Sequence, residues 1–394
     1  MPGDSVNRAG SPFTIEPTPI PLCKPYLSEK EELAVRDVLR SGWLMQGSQV
    51  TEFERLISEY VGVKHALALN SGTSALTLGL MALGMRANDQ TIMPSCSFVA
   101  TANSTVHWGG KPVFVDIGPR DYNIDPAKIE PAIDPRVKGV VVVHQLGFPA
   151  DMDNILPIAH RHDLTVVEDA ACSLGSEYNR RKTGSFGKVA CLSFHPRKII
   201  TTGEGGMVLT DSDEIAERVR SLRNHGLKSP DIGTRVSCFE YGYNYRMTDI
   251  QAAIGIEQFR KLDEIIRLRT LLAERYAESI AKLPQLMLPT WPDSAVPNYQ
   301  SFAVELVDDS IERDALLASM RGAGIECGAG IQPIHLEPAF AAEYSHIHLP
   351  ETMRAARRSF FLPLYPGMSR EEQDFVLDKL QAVLKGLQST KERP

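Results

Sequence analysis

Long apolar runs are missing from this 394-residue sequence. The strongest, such as Gly139 to Val143 and Leu76 to Leu83, fall far short of the roughly 20 residues that a membrane-spanning helix needs, which excludes a helical membrane protein. A basic excess is missing too: 42 Lys plus Arg stand against 49 Asp plus Glu, and the formal charge is −7. That argues against nucleic acid or an anionic membrane as a partner. The six cysteines, at positions 23, 96, 172, 191, 238 and 327, include no C-x-x-C pair and no histidine at metal-ligand spacing. Zinc and a disulfide framework are therefore not expected, and no metal is assigned. The first 19 residues hold four prolines and two glycines but no apolar block of signal-peptide length. They read as a flexible tail, with the cytoplasm as the expected compartment. Nor does a G-x-G-x-x-G follow a predicted strand: Gly203-Glu204-Gly205-Gly206 has Val208 where the last glycine belongs, which argues against a nicotinamide-dependent oxidoreductase.

What is present is the makeup of a globular protein, 43% hydrophobic and 23% charged, with enough chain for two domains. Ser28 and Glu31 form a capping box before a helix whose apolar face carries Leu33, Val38 and Leu39. A second helix shows Phe53, Leu56, Ile57 and Tyr60 at i, i+3, i+4, i+7. From 66 to 210, short apolar runs alternate with helical segments: Ala66 to Leu69, Gln90 to Met93, Pro112 to Val115, Gly139 to Val143, Thr165 to Val167, Ala190 to Ser193 and Gly206 to Leu209. Such runs predict buried strands of a mostly parallel α/β sheet between helices. A long charged helical stretch, Ile250 to Ala281, leads out of this region. Beyond it lie a strand (Ser301 to Val307), a helix (Ile311 to Gly322) and a final helix. The last is capped by Ser369 and Glu372 and expected to bury Phe375, Val376, Leu380, Val383 and Leu384. The reading is a large domain over 20–255 and a smaller α+β domain over 256–394.

Three segments stand out for chemistry. Leu69-Asn70-Ser71-Gly72-Thr73-Ser74 joins a strand to a helix through a small, hydroxyl-rich turn that offers N–H donors to a phosphate, although Ser71 or Thr73 would serve equally as an ordinary N-cap. Glu168-Asp169 places carboxylates at the carboxyl end of a strand, where ligands of parallel sheets bind and where helix caps also occur. Ser193-Phe194-His195-Pro196-Arg197-Lys198 precedes a glycine-rich turn; a lysine there is either an ordinary surface residue or an amine desolvated enough to form an imine. Their order along one predicted sheet supplies what pyridoxal phosphate requires: a phosphate anchor, a carboxylate for the pyridine nitrogen, and a lysine.

The chain also resembles the DegT/DnrJ/EryC1/StrS sugar aminotransferases, fold-type I pyridoxal phosphate enzymes, from about Ile20 to Leu387. The resemblance is carried by Ser41-Gly42-Trp43-Leu44 with Gly47, Phe53-Glu54, Asn70-Ser71-Gly72-Thr73 and Ser97-Phe98-Val99-Ala100-Thr101. It continues through Glu168-Asp169-Ala170-Ala171, Ser193-Phe194-His195-Pro196 with Lys198, Gly203-Glu204-Gly205-Gly206 and Gly242-Tyr243-Asn244-Tyr245-Arg246-Met247. Ile334-His335 and Leu362-Pro363-Leu364-Tyr365 complete it.

The resemblance implies Lys198 as the lysine that binds the cofactor, Asp169 at the pyridine nitrogen, Phe98 stacked on the ring, and Gly72, Thr73 and Ser193 at the phosphate. It implies that Asn244 reaches the phosphate of the neighbouring subunit in a homodimer. Cys172 stands where many relatives carry Gln, close to the cofactor. His144 and His195 match positions near the site, and Arg246, Arg197 and His335 are possible contacts for pyrophosphate or sugar. The implied reaction moves an amino group, from glutamate, to a keto sugar carried on a nucleotide. The related sugar dehydratases have His in place of Lys198, and a non-catalytic regulator on this scaffold is expected to lose Lys198 or Asp169.

Overall fold

The structure, a computed structural model, describes residues 19–228, 236–307 and 309–391. The expected N-terminal tail, 1–19, lies outside the described residues except for its last member. After α1 (Glu29–Ser41) and α2 (Ser48–Val61) the chain runs through β1 (His65–Leu69), α3 (Gly72–Ala82), β2 (Gln90–Pro94), α4 (Ala100–Val106), β3 (Lys111–Val115), β4 (Val137–Val143), α5 (Met152–Arg161), β5 (Thr165–Asp169), β6 (Val189–Ser193), β7 (Gly206–Thr210) and α6 (Asp213–Leu222). Helices α7 (Asp249–Arg260) and α8 (Leu262–Ile280) follow.

The seven strands form one sheet in the order β1-β7-β6-β5-β4-β2-β3, and each coincides with an apolar run picked out in the sequence. Six are parallel; β7 runs against its neighbours β1 and β6. A parallel sheet needs cover on both faces, and this one has it. Leu76, Leu78 and Leu80 of α3 pack with Val141, Val167, Val189 and Val208 on one side, while Met152 and Ile155 of α5 join Ile92, Val140 and Val142 on the other. Each such side chain contributes roughly 1.5–3 kcal/mol by leaving water. Because the six strands share a direction, the ends of β1, β2, β5 and β6 lie along one edge, and the turns that follow them meet there.

Helix α1 departs from its expected pattern. Val38 is buried, but Leu33 and Leu39 are exposed, and the inward position belongs to Glu31. Burial alone would raise this carboxyl's pKa; ion pairing with Lys261 and hydrogen bonds from Gln258 and Ser28 bring it down to about 2.

A second, antiparallel sheet is built from β8 (Leu286–Met287), β9 (Phe302–Leu306), β10 (Gly328–Ala329) and β11 (Ser359–Leu362), in the order β8-β9-β11-β10. Helices α9 (Arg313–Gly322), α10 (Pro338–Tyr344), α11 (Pro350–Arg358) and α12 (Arg370–Lys391) accompany it. Ser369 and Glu372 cap α12 as expected, and Val376, Leu380 and Leu384 are buried. Phe375 is instead exposed, with the Lys379 ammonium over its ring. Residue 256 lies inside α7, and the chain crosses between the two cores along α8: Leu262 and Ile265 belong to the first, Ala273, Tyr276 and Ile280 to the second.

The two sheets are joined by a buried polar latch. Asp116, after β3, accepts hydrogen bonds from the N–H groups of Glu351 and Thr352 and from the Thr352 hydroxyl, capping α11. Glu305 of β9 accepts from Tyr122 (3.3 Å) and pairs with Arg354 of α11. No helix among the described residues is long and apolar enough to cross a membrane.

Candidate active site

The turn between β1 and α3 is an anion cradle built from small residues. Ser71 caps α3 by accepting from the Ser74 N–H (3.1 Å), which leaves the N–H groups of Gly72 and Thr73 without an intrahelical acceptor. Space decides which residues fit here. A Cβ on Gly72 would stand 2.8 Å from Ser193 Cβ and 3.0 Å from its Oγ, and a Cβ on Gly206 would stand 2.2 Å from the Ser71 carbonyl oxygen. The antiparallel β7 begins at Gly206 directly beneath the turn, and two missing side chains let β1, β6 and β7 bring Gly72, Thr73 and Ser193 together. These N–H and hydroxyl donors at a helix N-terminus suit a phosphate.

Asp169 ends β5 on the same edge. It is buried, and its oxygens accept from the Thr101 hydroxyl (2.7 Å) and the Ala171 N–H (3.2 Å). Thr101 also meets Ser97 Oγ at 2.9 Å, so the turn that carries Phe98 is fixed to the carboxylate. Phe98 itself is 70% exposed, unusual for a phenyl ring and leaving a face free for a planar partner. Lys198, in the loop after β6, places Nζ 3.1 Å from the Cys172 Sγ in the loop after β5. Phosphate cradle, buried carboxylate, open aromatic ring and amine thus sit on adjoining turns of one edge, and the donor set fits pyridoxal phosphate.

His144 and His335 are more enclosed than a substrate contact would require. His144 is fully buried; its Nδ1 accepts from the Ala150 N–H (3.0 Å), so Nε2 carries the hydrogen and donates to Glu168 (2.8 Å). With both nitrogens engaged it offers nothing to a substrate. Burial would raise the Glu168 carboxyl, but His144 and the N–H groups of Gly187 and Gly184 hold it below its ordinary range. His335 is also buried, with Nδ1 2.7 Å from Ser95 Oγ. Burial lowers its pKa, and it supports the start of the turn that carries Phe98 rather than lying open to a sugar. His195 remains partly exposed: burial, opposed by Glu204, lowers its pKa, and its Nδ1 accepts from the Arg197 N–H.

Asn244 and Arg246 lie on a segment laid along α6 and the end of β1, through Tyr243 N–H to Leu222 O, Tyr245 N–H to Arg223 O and Asn70 N–H to Tyr245 O. Asn244 is exposed, and Arg246 donates to Asn224 Oδ1 (2.6 Å) beside Arg220 and His225 in an open recess. Sequence reasoning gave no role to Thr101 as the partner of Asp169, nor to Asn298 and Gln300, which hydrogen-bond the loops of Cys172 and Lys198 from the far half of the chain.

Comparison with known proteins agrees with this geometry. The model of the DegT/DnrJ/EryC1/StrS aminotransferase family matches residues 25–381. GDP-perosamine synthase of Caulobacter vibrioides is 37% identical over 373 residues, covering 93% of this chain and 98% of its own. The structure of DesV from S. venezuelae in complex with a ketimine intermediate is similar with a TM-score of 0.86 at 32% identity, covering 96% of this chain and all of DesV. The PLP form of Spr1654 from Streptococcus pneumoniae is similar with a TM-score of 0.88 at 25% identity, over 94% of this chain and 99% of that one. The chain belongs to the DegT/DnrJ/EryC1/StrS family and is a fold-type I, pyridoxal phosphate-dependent sugar aminotransferase.

Proposed function

We propose that this enzyme moves an amino group from glutamate to a keto sugar carried on a nucleotide, in the cytoplasm, as a homodimer whose two sites each draw on both subunits. The observation that carries this reading is the meeting of Lys198, Asp169 and the Gly72–Thr73–Ser193 cradle on one sheet edge. Pyridoxal phosphate supplies a ring that accepts negative charge from the carbon next to the transferred nitrogen.

The chain's own residues do the rest. Gly72, Thr73 and Ser193 bind the phosphate, with Asn244 of the second subunit completing the shell. Phe98 covers one ring face. Asp169, oriented by Thr101 and Ala171, holds a proton on the pyridine nitrogen. Lys198 would hold the cofactor through Nζ, and its free amine would take up and return the proton at that same atom. Cys172 packs against Lys198, and His195, Arg197 and Arg246 remain available to the acceptor. The dimer is supported by exposed apolar side chains on two segments, Trp43, Leu44 and Met45 before α2 and Phe239 and Tyr241 before Asn244, with Met45 lining the recess beside Arg246. The nucleotide-linked acceptor is supported by the similarity to GDP-perosamine synthase.

The test is to load the protein with pyridoxamine phosphate and offer a panel of keto sugar nucleotides, following the return of the pyridoxal absorbance. Return with at least one of them, and reloading by glutamate but not by other amino acids, is the expected outcome. Conversion of free keto sugars alone would remove the nucleotide from the proposal.

A further inference from the structure

Beyond the ends of β5 and β6, sheet pairing stops. The register ends at Asp169 opposite Cys191, and one further backbone bond, Ala170 N–H to Cys191 O, joins the strands. Yet the two loops that follow bring Cys172 Sγ and Lys198 Nζ to 3.1 Å. Their spacing is set from elsewhere, by Asn298-Tyr299-Gln300, the segment that leads into β9.

Asn298 is fully buried and divides its amide between two tasks. Nδ2 donates to the carbonyls of Cys172 and Leu174, both at 2.9 Å, and Oδ1 accepts from the Gln300 N–H (2.9 Å). Its own N–H donates to Ser176 Oγ (3.1 Å), which fastens the same loop again. Gly147 leaves the room for this amide: a Cβ there would stand 2.0 Å from Asn298 Oδ1. Gln300 serves the other loop, its Nε2 donating to the Arg197 carbonyl at 2.7 Å, one peptide before Lys198. Between them Tyr299 adopts φ +52°, the left-handed turn that sends the two amides to different loops.

The segment is itself anchored. Arg269 of α8, buried, donates to the carbonyls of Tyr299 and Gln300, and burial lowers its pKa to about 10. A charge is kept inside the protein to hold three residues that touch no reacting group, which is a costly arrangement unless their position matters.

We infer that Asn298-Tyr299-Gln300 is a positioning strap for the reactive amine: it fixes the Lys198 loop against the Cys172 loop and so sets where Lys198 Nζ stands relative to the cofactor. The inference rests on the proposed role of Lys198. Asn298 and Gln300 are positioning residues; they act through Lys198 and Cys172. A misplacement well under an ångström at a reacting atom slows the chemistry with little effect on substrate binding.

The test uses the holoenzyme. Borohydride reduction and peptide mapping of the unaltered protein come first: a pyridoxyl adduct on a lysine other than Lys198 would reject the reading of the site, and the strap with it. With the adduct on Lys198, Gln300→Leu, which keeps volume but loses the donor, is compared with the parent. The midpoint of the cofactor's absorbance change with pH should move by about half a pH unit or more, and kcat should fall about tenfold with KM within about twofold. Gln300→Glu gives a second reading if the leucine variant is too unstable to purify. At neutral pH its carboxylate faces the Arg197 carbonyl and should move the midpoint further. A lowered melting temperature with an unmoved midpoint and unchanged kcat in either purified variant would show a merely structural residue and overturn the strap.

Discussion

The loops after β5 and β6 and the segment around Asn244 are both assigned to one site, but they are finished to different degrees. The first pair is closed by its own chain: Asp169 has two donors, Cys172 and Lys198 meet, and Asn298 and Gln300 staple the backbone behind them. In the second, the inner side is settled, with Tyr243 and Tyr245 stacked at 4.7 Å and their peptides bonded to Leu222 and Arg223. Its outer side is not: Phe239 is exposed, Tyr241 is 97% exposed, and Asn244 faces solvent. Aromatic side chains left this open favour a surface that another molecule covers. The contrast teaches that a single chain can build and brace the Lys198–Asp169 part of the site, while the segment proposed to reach a phosphate leaves its outer side open.

The comparison breaks first at Lys198. Lys198→Ala should lower turnover about ten-thousandfold in a steady-state assay, since Lys198 Nζ is the amine that stands beside Cys172, while Lys182 in the same connection is paired with Glu177. It sharpens on mixing that protein with an inactive Asn244→Asp variant. If Asn244 serves the partner's site, half of the exchanged dimers carry one intact site, and activity should return to about a quarter of the parent value. No recovery, with mixed dimers confirmed by mass, would place Asn244 in its own chain's site and dissolve the contrast.

Asp169→Asn keeps the shape but no longer favours a proton on the pyridine nitrogen. Single-turnover rates with the amino donor should fall about a hundredfold or more while donor binding changes little. A control lies outside both regions: Glu31→Gln, which takes the carboxylate from Lys261 and leaves it the Tyr26 carbonyl, should cost about 2–3 kcal/mol in urea unfolding with the site chemistry intact. The sign with pH follows from the depressed carboxyl. Its folded pKa of about 2 lies below the ordinary 4.5, so its contribution is complete above 4.5 and is lost as pH falls toward 2; the Gln variant should lack that slope. Smallest is Cys172→Gln, which supplies an amide donor to the same space and should change kcat by no more than about threefold.

Much of this was legible in the sequence because the physics is local. Seven apolar runs were enough to specify seven strands, since a parallel sheet buries both faces and leaves little else in the run. The turn at Ser71 to Thr73 was visible as small, hydroxyl-rich residues between a strand and a helix, where an ordinary N-cap read equally well; the close approach that Gly72 and Gly206 permit is a tertiary matter. His144 matches a position near the site, yet both its ring nitrogens bond within the chain, for a reason that alternation explains. Glu168 and Asp169 are neighbours in a strand and face opposite sides of the sheet, so only one carboxylate belongs to the cofactor edge, and His144 went with the other. Leu33, Leu39 and Phe375 satisfied helical spacing without being buried, because periodicity describes a face and not what that face meets. Asn298 and Gln300 left little local trace: a polar pair before a buried strand gains its meaning only from loops more than 100 residues away.

The latch between the sheets has a consequence for traffic. Prising α11 and β9 together away from the segment after β3 would strand Asp116, a buried carboxylate that now caps α11, and would break the Tyr122–Glu305 hydrogen bond, and such a rupture is expensive. Hinge motion between the halves is thereby discouraged, so an opening onto the Lys198 edge would not be widened by parting the two sheets. Its width is then a matter of which side chains line it, so exchanging those residues, with the hinge left alone, is the route by which this scaffold would be taught a different sugar.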